Sequence, residues 1–213
     1  MQQKLKIKSV KGPGIPVAGN DIDTDRIIPA RYLKLITFKD LGNYAFYDAR
    51  FNKDGSKKEH PFNDEKFASA SILIVNKNFG SGSSREHAPQ SLIRYGIKAI
   101  IGESFAEIFE GNCTALGMPT VIGSEVDVET LMKVINDDPA LEIRIDLETM
   151  QVNYGDFSFE IKQKESSRAV LTEGKWDSLS ELKSASKETK KLSEKLPYLN
   201  GFQWLKSNEK TDK

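Results

Sequence analysis

Ser71-Ile72-Leu73-Ile74-Val75, then Asn78-Phe79-Gly80-Ser81-Gly82-Ser83-Ser84-Arg85-Glu86-His87-Ala88, then Pro89-Gln90-Ser91-Leu92-Ile93-Arg94-Tyr95-Gly96. This run reads as buried strand, glycine-rich turn and helix. A short apolar run bounded by turn residues has the length and composition of a strand buried on both faces. The turn sets backbone N–H groups, the hydroxyls of Ser83 and Ser84 and the Arg85 guanidinium at the carboxyl end of that strand. Open α/β sheets bind ligands there, and such donors suit a carboxylate.

Three commoner readings of the turn fail on its spacing. A dinucleotide fingerprint needs a third glycine where Arg85 stands. A phosphate-cradling loop needs Gly-Lys-Ser/Thr, and the turn holds no lysine. A nucleophile elbow needs Gly-x-Ser-x-Gly, but Ser83 is followed by Ser84 and Arg85. A helix start remains open: Ser83 and Glu86 have capping-box spacing. Pro89 would interrupt a helix begun at residue 84, so a short turn over 84–88 and a main helix from Pro89 are expected.

Outward from this unit, strands are expected at 97–101 and 119–122, with a helix at 104–112 opened by a Ser104–Glu107 capping box. Strands alternating with helices imply parallel pairing. Leu5–Val10 alternates as a half-buried strand, expected to end at Gly12-Pro13-Gly14. Residues 48–66 read as an exposed excursion. Asp127 to about Asn136 reads as a helix, and 141–147, 151–154 and 157–161 alternate like strands. Leu179, Leu182, Leu192 and Leu196 share one helical stripe near the end, and residues from Ser207 are expected to fray.

Phe79–Ala88 resembles the signature of the aconitase superfamily's swivelling domain. Two further blocks agree in order. Asn20-Asp21-Ile22-Asp23-Thr24-Asp25-Arg26-Ile27-Ile28-Pro29-Ala30 resembles the Asp-Thr-Asp-x-Ile-Ile-Pro motif of isopropylmalate dehydratase small subunits. Ile100–Phe109, with Asn112-Cys113 and Gly117-Met118-Pro119, is the third. Position 81, often cysteine in that family, is serine here. The resemblance implies an α/β fold: a swivelling β/β/α domain over 1–162 with a parallel βαβαβ unit and a β-rich section, then an extension over 163–213, mainly one helix.

The resemblance also implies chemistry. The family isomerises 2-isopropylmalate and 3-isopropylmalate by dehydration and rehydration, in leucine biosynthesis. Ser83 would be the base acting as an alkoxide, and Arg85 would grip a substrate carboxylate. Asp25 would orient water or a side chain; an Asx-turn is its plainer reading. Ser84 and Thr24 would bind substrate, and Leu33, in the segment after Pro29, would meet the isopropyl group. Arg31 or Lys34 would favour acid-bearing substrates. Within the same chemistry, a homoaconitase or citraconate (methylmaleate) hydratase small subunit is the alternative.

Composition narrows the partners. Acidic and basic residues balance at 31 each, so no net field favours nucleic acid or an anionic membrane. The Lys187, Lys190, Lys191 and Lys195 cluster reads as a solvated helix face. No apolar stretch approaches the roughly 20 residues of a membrane span, and Met1–Lys4 leads into a strand rather than a signal peptide, so a cytoplasmic protein is expected. The single cysteine, Cys113, rules out an internal disulfide and a cysteine-rich metal site. Iron–sulfur clusters take several thiolates. The 4Fe-4S cluster of the implied reaction is therefore expected on a large partner subunit, with no metal on this chain. An inactive diacid-binding module and an RNA-binding protein are the readings from other classes. The intact Ser83-Ser84-Arg85 triplet speaks against the first, and the zero net charge against the second.

Overall fold

The computed structural model describes residues 6–34, 39–83, 85–177 and 185–200. The chain divides into a compact unit, Met1–Trp176, and a second, Asp177–Lys213. In the first, β1 (Ser9–Val17) and α1 (Thr24–Ile27) precede α2 (Tyr47–Arg50) and a run of 3₁₀ turns. There follow β2 (Ile72–Val75), α3 (His87–Tyr95), β3 (Ala99–Gly102), α4 (Glu107–Ala115) and β4 (Thr120–Ile122). Then come α5 (Glu125–Asp137), β5 (Glu142–Asp146), β6 (Gln151–Tyr154), β7 (Phe157–Glu160) and α6 (Glu165–Glu173). The seven strands form one sheet in the order β4-β3-β2-β1-β5-β6-β7. β1 to β4 run parallel, and β5, β6 and β7 are antiparallel, so the βαβαβ unit and the β-rich section meet along β1.

β1 is the pivot. Ser9–Pro13 pairs antiparallel with β5, while Gly14–Val17 pairs parallel with β2. The turn expected at Gly12-Pro13-Gly14 is therefore absent, and the strand runs through it. These glycines serve packing: a Cβ on Gly12 would lie 2.0 Å from Ser71 Oγ, and one on Gly14 2.7 Å from Ile135 and Ile143. Pro13 sits where the pairing changes edge, and its carbonyl accepts the Ser71 N–H at 2.9 Å. Beyond β7, Lys162 exchanges two backbone hydrogen bonds with Ile122 of β4, at 2.8 and 2.7 Å. The sheet thus curls until the segment just past β7 meets β4, which ties down part of an edge that would otherwise invite pairing.

Every residue of β2 and β3 is buried, as parallel strands covered on both faces require. α5 packs on β1 and β2, and α6 packs on α4. α3 begins at His87, not Pro89; the proline falls in the first turn, where its missing N–H costs no helical bond. Its carboxyl end is closed by Gly96 at φ +123°, as expected. α4 begins at Glu107 and α5 at Glu125, the latter capped by Ser124, whose Oγ accepts the Asp127 N–H. The excursion is exposed over 52–59, but Phe62 turns inward and joins the core, as does Phe67 just beyond it. Past residue 162 the compact unit continues through α6, whose Leu171 is fully buried. In the second unit α7 (Ser186–Lys195) presents Leu192 largely to solvent. Leu179 and Leu182 lie outside the described residues.

Candidate active site

Three loops leave the carboxyl ends of β1, β2 and β3 side by side because those strands are neighbours, and the three sequence blocks meet there. The first two zip together. Gly19 N–H donates to Asn76 Oδ1, Asp21 N–H to the Lys77 carbonyl, Gly80 N–H to the Ile22 carbonyl and Thr24 N–H to the Ser81 carbonyl, all at 2.8–2.9 Å. Asp21 and Asn78 both take left-handed backbone conformations, and Asn78 Nδ2 donates to Asp21 Oδ1 at 2.7 Å. The third loop joins through Ser104, whose Oγ accepts the Asn78 N–H, and through Phe79, bonded to Ser104 and Ala106.

Two glycines shape the turn. Gly80 has φ +80°, and a Cβ there would lie 2.2 Å from the Phe109 ring, so only glycine fits. Gly82, at φ +92°, passes Asp23 and Thr24 with room to spare. Ser83 then emerges exposed. Its carbonyl accepts the hydroxyl of Thr24, a buried side chain, at 3.1 Å. Arg85 is turned inward, its side chain 18% exposed, and its Nη1 pairs with Asp25 Oδ1. Asp25 sits in the first turn of α1, a helix capped by Asp23, whose Oδ1 accepts the Arg26 N–H.

Thr24, Ser83 and Arg85 line a cavity of about 250 Å³ with Gly80 and Gly82, closed on the other side by the start of α4. Its far wall is Glu107, Ile108, Phe109 and Asn112. No site role follows for these from sequence, although their block carries the third motif; that Ile108 is an apolar side chain left 56% exposed is visible only in the structure. Neither the capping box left open at Ser83 nor the one expected at Ser104 forms. α3 is capped at Glu86 without a side-chain bond, and α4 at Ala106, because Ser104 is spent on Asn78. Ser84 lies outside the described residues. Leu33 packs half-buried against the core and is not among the residues lining this cavity. Arg31 is held by both carboxylate oxygens of Asp48 and stacks over Tyr32 at 4.7 Å.

The chain's own residues do not fit an iron–sulfur cluster. Cys113 is fully buried, and burial pushes its thiol well above the ordinary range, opposite to what a thiolate ligand needs. Among the described residues no group of three or more His, Cys, Asp or Glu is placed to hold a metal. Nor is any described helix long and apolar enough to cross a membrane.

Residues 5–123 match the aconitase C-terminal domain family, and the chain belongs to it. Within that family its relatives are small subunits. The 3-isopropylmalate dehydratase small subunit of Thermus thermophilus is 49% identical over 91% of this chain and 96% of its own length. That of a Synechocystis strain is 46% identical over 92% and 96%. A crystal structure titled 3-isopropylmalate dehydratase, from Methanocaldococcus jannaschii, superposes with a TM-score of 0.62 at 24% identity. It covers 84% of this chain and 99% of that one, which bears on the fold alone. By kinship, then, the chain is one of the 3-isopropylmalate dehydratase small subunits.

Proposed function

We propose that this small subunit supplies the proton-transfer and carboxylate-binding groups that interconvert 2-isopropylmalate and 3-isopropylmalate, in the cytoplasm and with an iron–sulfur large subunit. The observation that carries the reading is the convergence of Ser83, Arg85 and Thr24 on one small cavity, with Asp25 holding the guanidinium.

The reaction removes a C–H proton beside a carboxylate and a hydroxyl from the adjacent carbon, giving an isopropylmaleate and water. Readdition with the two positions exchanged completes the isomerisation. Ser83 is the group assigned to the proton. A serine hydroxyl ionises only where negative charge is stabilised, and the N–H groups of the glycine turn together with the Arg85 guanidinium are donors of the right kind. Thr24 holds the Ser83 backbone from beneath. Arg85 has five N–H donors; Asp25 engages Nη1 and keeps the group aimed, leaving the rest of the fork for a substrate carboxylate. Ile108 and Phe109 give the same cavity an apolar wall suited to the carbon skeleton.

The test is co-purification with a candidate iron–sulfur large subunit, followed by an anaerobic isomerisation assay. The isolated chain is expected to be colourless and inactive, and the pair active. Iron–sulfur absorbance with turnover from the single chain would overturn the reading.

A further inference from the structure

A second, larger cavity of about 680 Å³ opens on the other side of α1, and it shares no lining residue with the Ser83 cavity. It lies between α5 and the segments around Phe46 and His60, beside the end of β1. Val17, Ile22, Phe46 and Met132 make its walls apolar, while Arg26 and Lys133 stand exposed at its rim. Among the described residues no ion pair occupies either cation, although Glu129 precedes Lys133 by one turn on α5. Its size falls within the roughly 300–1,000 Å³ range of small-molecule pockets, apolar walls with a few converging polar groups being their usual lining.

From this cavity, its apolar walls and its two rim cations, we propose a regulatory site for a small amphipathic carboxylate. The carboxylate meets Arg26 and Lys133, and the carbon body lies against Phe46, Ile22 and Met132. His60 adds a donor: its Nδ1 accepts the Phe62 N–H at 3.1 Å, so the neutral ring carries its proton on Nε2. Burial, then the positive charges of Arg50 and Arg26, hold its pKa down to about 4, so the ring does not bring a further charge of its own. Glu129 at the rim disfavours a second carboxylate, which points to monocarboxylates over diacids.

The route to the first site is one turn of helix. Arg26 faces this cavity, Asp25 before it pairs with Arg85, and Thr24 before that holds the Ser83 carbonyl. A ligand that draws on Arg26 bears on the same turn that aims the Ser83–Arg85 pair. This coupling rests on the catalytic reading above; binding itself does not.

The experiment is an NMR titration of the full-length chain with hexanoate, using hexylamine as the cationic control. Hexanoate is expected to shift the amides of residues 16–18, 22–26 and 129–136 saturably, and hexylamine to leave them in place. Met132→Trp, which fills the cavity, abolishes the response with the rest of the spectrum preserved. Arg26→Gln weakens binding about tenfold, the scale of one charge-assisted hydrogen bond. The Arg85 Nε–Hε signal moves as hexanoate saturates. No saturable shift, or an equal response to hexylamine, overturns the site. Saturable binding that leaves the Arg85 signal unmoved overturns the coupling to catalysis, whether or not the chain proves to be active with a large subunit.

Discussion

Arg85 and Asp25, sixty residues apart in sequence, form an ion pair at the mouth of the Ser83 cavity, with the guanidinium side 18% exposed and the carboxylate side 54%. That asymmetry gives the pair a direction. On the function proposed above, the inward partner, which lines the cavity, meets the substrate and the outward partner steers it. Arg85→Lys is therefore expected to impair turnover although the charge is kept, because an ammonium is a point donor and cannot serve Asp25 and a carboxylate with one fork. Losing one charged hydrogen bond of about 1.5–3 kcal/mol corresponds to roughly 10- to 150-fold in kcat/KM. Near-wild-type kinetics of the reconstituted enzyme would place Arg85 outside the reaction.

Ser83→Ala should remove about 10²- to 10⁴-fold from kcat, the usual range for a proton-transfer group, with KM little changed. Thermal stability is the control. Since α3 is capped at Glu86 and the Thr24 hydroxyl bonds the Ser83 carbonyl, deleting the Ser83 hydroxyl removes no bond seen among the described residues. A variant that loses about 1 kcal/mol of stability while turning over normally would restore the helix-cap role.

Thr24→Val tests the support from beneath. It removes a hydroxyl bond of about 0.5–1.5 kcal/mol from a buried side chain and releases the Ser83 backbone. The kcat should fall further than stability alone explains, and Thr24→Ser should recover it. Equal behaviour of the valine and serine variants would reduce Thr24 to packing.

Much of this arrangement could be read from residues alone, and the failures share a cause. The parallel unit was legible because β2 and β3 are uniformly apolar and each is followed by a turn and a helix. Gly12-Pro13-Gly14 was misread as a turn because the closeness of Ser71, Ile135 and Ile143 that demands glycine there exists only after folding. Ser104 has capping-box spacing with Glu107, yet its hydroxyl serves Asn78, 26 residues upstream. Likewise the Thr24 hydroxyl finds its partner in Ser83, 59 residues away, which local pattern cannot report. That Ser83 and Arg85 share one turn was legible; their long-range partners were not.

The two glycines of the turn should respond differently to alanine. At Gly82 the cost is the left-handed backbone, about 1–2 kcal/mol, since the nearest atoms to a new Cβ are 3.5 Å away. At Gly80 the same strain is joined by a 2.2 Å contact with the Phe109 ring, and overpacking adds about 1–3 kcal/mol. Chemical denaturation should rank Gly80→Ala well below Gly82→Ala in stability. Equal midpoints would show that Phe109 moves freely and that the turn is not fixed from that side.

His60 gives the folded protein a pH dependence. Its pKa is lowered from 6.5 to about 4, first by burial and then by Arg50 and Arg26. Between those values the unfolded chain binds the proton and the folded chain does not. Stability therefore rises with pH across this window and is lost as pH falls from 6.5 to about 4. His60→Asn should flatten that part of the curve in denaturation experiments at about pH 7 and pH 5. An unchanged slope would assign the acid sensitivity to carboxylates alone.

Substrate choice is expected to depend on Lys34 and Leu33 rather than on Arg31. Arg31 and Lys34 were both candidates to meet a third carboxylate. The structure commits Arg31 elsewhere: Asp48 takes its guanidinium through two bonds, Tyr32 lies under it, and the Asp48 interaction drives its pKa upward. Pulling it into a substrate would break all three contacts. Lys34, at the end of the same 3₁₀ turn, is exposed, and no ion pair holds it among the described residues. Leu33 is anchored against the core outside the Ser83 cavity, so it offers a fixed apolar surface only to a substituent that extends beyond that cavity. Leu33→Ala should then alter discrimination between alkyl groups by at most about 10- to 200-fold, the limit of an apolar contact. Lys34→Leu should lower any residual turnover of homocitrate-type acids far more than that of isopropylmalate, since an unpaired buried charge is costly. Arg31→Leu should change stability and leave these ratios alone. The measurement is kcat/KM for isopropylmalate, methylmalate and a homocitrate-type acid with each variant in the reconstituted enzyme. If the ratios stay constant for Leu33 and Lys34 while Ser83→Ala is dead for all three acids, the selecting groups belong to the large subunit.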